Sequence, residues 1–82
     1  MIDCSHGNSN KDHRRQPHVF KDVLGQVKNG NRDIIGMMIE SNLKEGNQPL
    51  ANPKKLRYGV SITDKCLGWQ DTERMILQAG GI

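Results

Sequence analysis

Apolar residues in this chain fall into short patches separated by polar turns, and the spacing within each patch changes along the sequence. Met1–Ser5 has the length of a short strand running into the polar turn GNSNKD. Val19, Phe20, Val23, Leu24 and Val27 then recur at the three- and four-residue intervals of one helical stripe. Pro17 suits the first turn of that helix, where a missing N–H costs nothing, and the turn-rich NGN at 29–31 stops it. A helix over about 17–28 follows. The stretch DIIGMMIE (33–40) is instead continuously apolar, as in a parallel strand covered on both faces, with Met37 and Met38 as core fillers.

Residues 41–58 carry two prolines and little periodicity, which reads as a long loop of the kind that often bears function. GVSITD (59–64) reads as a third short strand. From Trp69 to Ala79 the pattern turns helical again through Met75, Ile76 and Ala79, with Asp71 or Thr72 as the expected cap. The order is strand, helix, strand, long loop, strand, helix, and this alternation indicates parallel βαβ units of an α/β protein. It fits a small open α/β domain, and equally about three-eighths of a (β/α)₈ barrel.

Length and composition narrow this picture. Eighty-two residues allow one domain, with no second one. Only 34% are hydrophobic, and Phe20, Tyr58 and Trp69 are the only aromatics, so a self-sufficient core is not expected. The net charge is +3, but the basic residues fall in the pairs Arg14–Arg15 and Lys54–Lys55, apart from the aromatics. That is a poor footprint for nucleic acid, and no nucleic-acid partner is expected. No run of about 18 apolar residues exists to cross a membrane, and no signal-peptide pattern precedes Asp3. The expectation is a cytoplasmic protein whose Cys4 and Cys66 stay reduced, each a small buried hydrophobe.

The chemistry gathers at three strand ends. His6 lies just past the first strand, Glu40 ends the second and Asp64 ends the third. Parallel strands open their C-terminal ends on one side of a sheet, where α/β enzymes place their sites. An imidazole with two carboxylates suits a divalent ion, and Asp64 can also serve as a general acid or base. The plain alternatives are a turn histidine and two solvated carboxylates. His13 and His18 offer rival imidazoles but read as exposed helix residues. No nucleophile elbow or phosphate loop is present, and Lys54 and Lys55 read as a solvated loop face.

Three blocks, DCSHGNSNKDHRRQP, IIGMMIESNLKEGNQ and YGVSITDKCLGW, closely resemble the type I family of 3-deoxy-D-arabino-heptulosonate 7-phosphate (DAHP) synthases. The resemblance implies a (β/α)₈ barrel, of which this chain is the C-terminal portion from strand six to helix eight. It implies condensation of phosphoenolpyruvate with erythrose 4-phosphate and water, releasing phosphate, at the first step of the shikimate pathway. It also implies a divalent metal of the manganese, iron, cobalt or zinc class. On the matching motifs the metal ligands are His6, Glu40 and Asp64, with His6 and Asp64 as the catalytic residues. The family's fourth ligand, a cysteine, belongs to an earlier segment and is neither Cys4 nor Cys66. A homo-oligomeric parent is implied as well. The segment alone is expected to be inactive; the alternative is a non-catalytic barrel fragment serving as an interaction or weak metal-binding module.

Overall fold

Two neighbouring backbone segments, far apart in sequence, pair in parallel at the centre of the structure. The structure is a computed structural model and describes residues 1–80. Strand β1 (Ile2–Asp3) lies beside β2 (Met37–Met38), with Ile2 opposite Met37 and Asp3 opposite Met38. The ladder continues on both sides, the Ile2 N–H donating to Gly36 O and the Cys4 N–H to Met38 O. Between them the chain makes a single turn of helix, α1 (His6–Ser9), a 3₁₀ turn at His13–Arg15 and the long helix α2 (Gln16–Lys28). Helix α2 falls where its apolar stripe and Pro17 predict it. It buries Phe20 and Val23 and ends at Asn29 and Gly30.

The expected third strand at 59–64 is replaced by something less regular. Residues 41–48 and 59–67 run beside one another as a ribbon joined at three points: Ser41 with Leu67, Gly46 with Cys66 and Asn47 with Ser61. Side-chain amides take over where a ladder is missing. The Gln48 carboxamide donates to the carbonyls of Arg57 and Val60 and accepts from the Arg57 N–H, so it pins both ends of the loop between them. Buried amides can satisfy backbone groups that regular structure leaves open. Residues 41–58 are therefore an ordered ribbon arm and loop, with a short 3₁₀ turn at Pro53–Lys55.

Helix α3 (Trp69–Gly80) closes the described chain and matches the expected element. Its start differs, because neither Asp71 nor Thr72 caps it. Thr72 sits one turn in and its hydroxyl donates back to Gly68 O. The core where α2, α3 and the strands meet is Cys4, Phe20, Leu67 and Met75, flanked by Val19, Leu24, Met37, Ile39 and Ala79. The 34–39 run is less covered than its apolar character predicts: Met37 and Met38 are half-buried and Ile35 is exposed. Of the aromatics, only Phe20 is buried.

Candidate metal centre

A tight turn after β1 holds the first donor. The Asp3 carboxylate accepts from the Ser5 N–H at 2.8 Å and from the Ser5 hydroxyl through one oxygen. Its other oxygen lies 2.8 Å from His6 Nδ1. The His6 backbone is left-handed, with φ 50°, a region a non-glycine residue enters at a cost of about 1–3 kcal/mol. The turn around it is well tied, since the His6 carbonyl accepts from the Lys11 N–H and Asn8 Nδ2 donates to Asp3 O at 2.7 Å.

The second donor, Glu40, follows β2 directly, and its main chain is clamped from two directions. The Gln16 carboxamide, at the start of α2 and 1% exposed, accepts from the Glu40 N–H at 2.9 Å and donates to the Glu40 carbonyl at 3.3 Å. The Leu67 N–H donates to the same carbonyl at 2.9 Å. Asp64 arrives from the other arm of the ribbon, in the turn after Ser61. There the Ser61 hydroxyl accepts from the Thr63 N–H, and Asn47 Nδ2 donates to Thr63 O.

These supports bring the three residues together. His6 Nε2 lies 2.8 Å from Glu40 Oε1 and 3.0 Å from Asp64 Oδ2, and one ligand atom from each residue lies within 4.8 Å of the other two. Asp64 meets the ring as a hydrogen-bond partner, whereas Glu40 acts on it through charge. Hydrogen bonds that the ring donates to Asp3 and Asp64, with the charge of Glu40, push the His6 pKa above its ordinary value. Hydrogen bonds from the Ser5 hydroxyl and then His6 hold the Asp3 carboxyl below its own. A neutral imidazole carries one N–H. Three carboxylates around one ring therefore leave acceptor atoms facing one another across Nε2, an arrangement that a divalent cation bound by nitrogen and oxygen relieves. The donor set fits such an ion.

The remaining candidates are placed elsewhere. His18 is exposed, as expected. His13 is not: its side chain is mostly covered, Nε2 lies 3.1 Å from Glu45 Oε2, and Nδ1 is buried without a partner. His13 sits in the 3₁₀ turn that leads into α2, with Glu45 of the ribbon at its side. Cys4 is fully buried in the core and Cys66 half-buried, both as free thiols. Lys54 and Lys55 are exposed. Asp3 and Gln16 escaped the sequence reading; the one available signal was a carboxylate three residues before the histidine, across a turn. The cleft in front of the three donors is also lined by Lys11, His13 and Lys65, and both lysines are exposed.

A parallel strand pair carries a His–Glu–Asp cluster beside it, ordered by side-chain amides, whose donor set suits a divalent cation. The chain belongs to the DAHP synthetase I family, whose sequence model matches residues 1–77. It is 57% identical over 77 residues to the Tyr-sensitive phospho-2-dehydro-3-deoxyheptonate aldolase of Escherichia coli K12, covering 93% of this chain and 22% of that protein. It is 51% identical over 80 residues to the tyrosine-inhibited enzyme of Candida albicans, covering 93% of this chain and 22% of that protein. The structure of phospho-2-dehydro-3-deoxyheptonate aldolase from Francisella tularensis superposes with a TM-score of 0.92 at 49% identity, covering 99% of this chain and 23% of that one. The chain thus spans about 22% of the length of these two curated relatives. Among the described residues no helix is long and apolar enough to cross a membrane.

Proposed function

We propose that this chain supplies three metal-binding side chains of a DAHP synthase, which condenses phosphoenolpyruvate with erythrose 4-phosphate and water to DAHP and phosphate. The observation that carries this reading is the convergence of His6, Glu40 and Asp64 in a chain of this family. We place the segment as the C-terminal units of a (β/α)₈ barrel. The near-complete match of these residues to a quarter of a longer chain and the parallel β1–β2 pair support that placement. The rest of the site, the fourth ligand included, then comes from outside this segment, and the 82 residues alone are inactive. Cys4 lies in the core with Phe20, Leu67 and Met75, which accords with a cysteine ligand supplied from elsewhere.

His6 through Nε2, Glu40 and Asp64 would hold the ion. A bound divalent metal supplies Lewis-acid polarisation of a substrate oxygen, worth several kcal/mol. The side chains have separate tasks beside it. His6 offers a lone pair only while its ring is neutral. Asp64, the most exposed of the three, is placed to exchange a proton with a group entering the cleft. Lys11 and Lys65 put positive charge at the cleft, where a phosphorylated substrate is drawn in.

The test is a segment exchange. These residues would replace the matching 77 in the E. coli Tyr-sensitive enzyme, and phosphoenolpyruvate consumption would be followed with erythrose 4-phosphate and Mn²⁺. Retained activity that disappears on Glu40→Ala or His6→Ala is the expected result. A folded hybrid without activity, or activity indifferent to both substitutions, overturns the reading.

A further inference from the structure

Asp3 has no assigned part in the cluster, yet both its carboxylate oxygens and its carbonyl are engaged within the turn. One carboxylate oxygen takes both the N–H and the hydroxyl of Ser5, the other meets His6 Nδ1 at 2.8 Å, and its carbonyl accepts from Asn8. An ionised carboxylate only accepts, so the ring atom facing it must carry the proton. The same rule puts a proton on Nε2 while Glu40 and Asp64 face it alone. A cation held by those two carboxylates takes that proton's place, and the neutral ring then keeps its one proton on Nδ1 against Asp3. The left-handed backbone at His6 brings the ring over Asp3, and the Ser5 bonds keep Asp3 from turning away.

We propose that Asp3 is a positioning residue that fixes the tautomer and orientation of His6, presenting the Nε2 lone pair to a cation held with Glu40 and Asp64. The inference rests on the metal-centre reading given above. It goes further by naming the group that makes the imidazole a ligand. A carboxylate behind a ligating histidine fixes the ring and raises its basicity, and its loss costs about 10–100-fold in metal affinity.

Asp3→Asn gives a directional test. The amide oxygen can still accept from Ser5, but its NH₂ then faces Nδ1 and demands an acceptor there. The ring is driven to the Nε2–H tautomer, with its lone pair on the wrong side. Two readouts are needed on the hybrid enzyme described above, in which this segment is completed by the rest of the barrel. The first is the ¹⁵N spectrum of the Zn²⁺-loaded His6 imidazole, which reports which ring nitrogen carries the metal and which the proton. The second is calorimetric titration with Zn²⁺, with thermal unfolding of each variant as the check on folding.

The expected result is Nδ1–H with Nε2 on the metal in the unaltered segment, and Zn²⁺ affinity lower by about 10–100-fold in an Asp3→Asn variant that still folds. A metal on Nδ1 with the proton on Nε2 in the unaltered segment overturns the proposal, and that spectrum decides even where the variant does not fold. Equal Zn²⁺ affinity in a folded Asp3→Asn overturns it too. A folded hybrid that takes up no Zn²⁺ removes the metal-centre reading and the ligand role of His6 with it, leaving Asp3 only the orientation of the ring.

Discussion

The carboxamide of Gln16 holds both main-chain polar groups of Glu40, one at 2.9 Å and the other at 3.3 Å, from within the first turn of α2. A carboxamide donates and accepts in one plane while uncharged, so it can stand in for a neighbouring strand at a single residue. Gln16→Leu keeps the approximate volume and removes both bonds. An unpaired buried N–H costs about 1–3 kcal/mol. We expect urea unfolding to show a loss of that size, together with weaker Zn²⁺ binding because Glu40 is no longer held beside His6.

Asp12 gives the fold an acid limb. Its carboxylate caps the 3₁₀ turn at the Arg14 N–H and pairs with the Arg14 guanidinium, and these bonds hold its pKa down to about 2 from 3.8. A depressed carboxyl contributes stability that is present above its unfolded pKa and is lost as pH falls through the folded one. The contribution of Asp12 should therefore decline between about pH 4 and pH 2. Asp12→Asn keeps an acceptor for the cap but has no charge to lose. Urea midpoints across that window should fall less steeply in the variant than in the unaltered chain.

The two thiols should differ in reactivity. Burial pushes both pKa values up, but Cys4 is fully enclosed while Cys66 is half-exposed. Thiolate access controls alkylation. Iodoacetamide treatment of the folded chain, read by mass spectrometry, should label Cys66 well before Cys4. In urea the two rates should converge.

Gly59 turns the ribbon with φ +79°, and a Cβ there would sit 2.8 Å from Leu43 Cβ. The left-handed conformation alone costs an L-residue about 1–2 kcal/mol, and the clash adds to it. Gly59→Ala should lower the thermal midpoint. It should also disturb Asp64 through the Lys44–Gly59 backbone bond and the ribbon beyond it.

Both long helices were legible in the sequence because their signals are local. Phe20 and Val23 lie on a stripe that a single helix satisfies, and Pro17 marks its beginning. The gathering of His6 and Glu40 was legible for a related reason, since each follows a strand and the two strands pair in parallel. Asp64 was expected at the end of a third strand. It reaches the same place from a turn after a single bridge at Ser61, because Gln48 and Asn47 supply bonds that a regular ladder would have made. Such amide bonds leave no periodic trace. Asp3 was hidden differently, since only the left-handed backbone of His6 turns a carboxylate three positions away into a neighbour of the ring.

One hydroxyl pair joins the end of the chain to its middle. The Ser41 and Thr72 oxygens are 2.6 Å apart, and the Thr72 hydroxyl donates to Gly68 O. A hydroxyl has a single proton to give, so Ser41 must be the donor in the pair. Helix α3 cannot slide along its axis without parting that bond or dragging residue 41, the neighbour of Glu40. Tension on α3 and the position of a carboxylate some thirty residues upstream are mechanically in series, through this hydroxyl pair and the Trp69 and Leu67 N–H bonds to Leu43 O and Glu40 O.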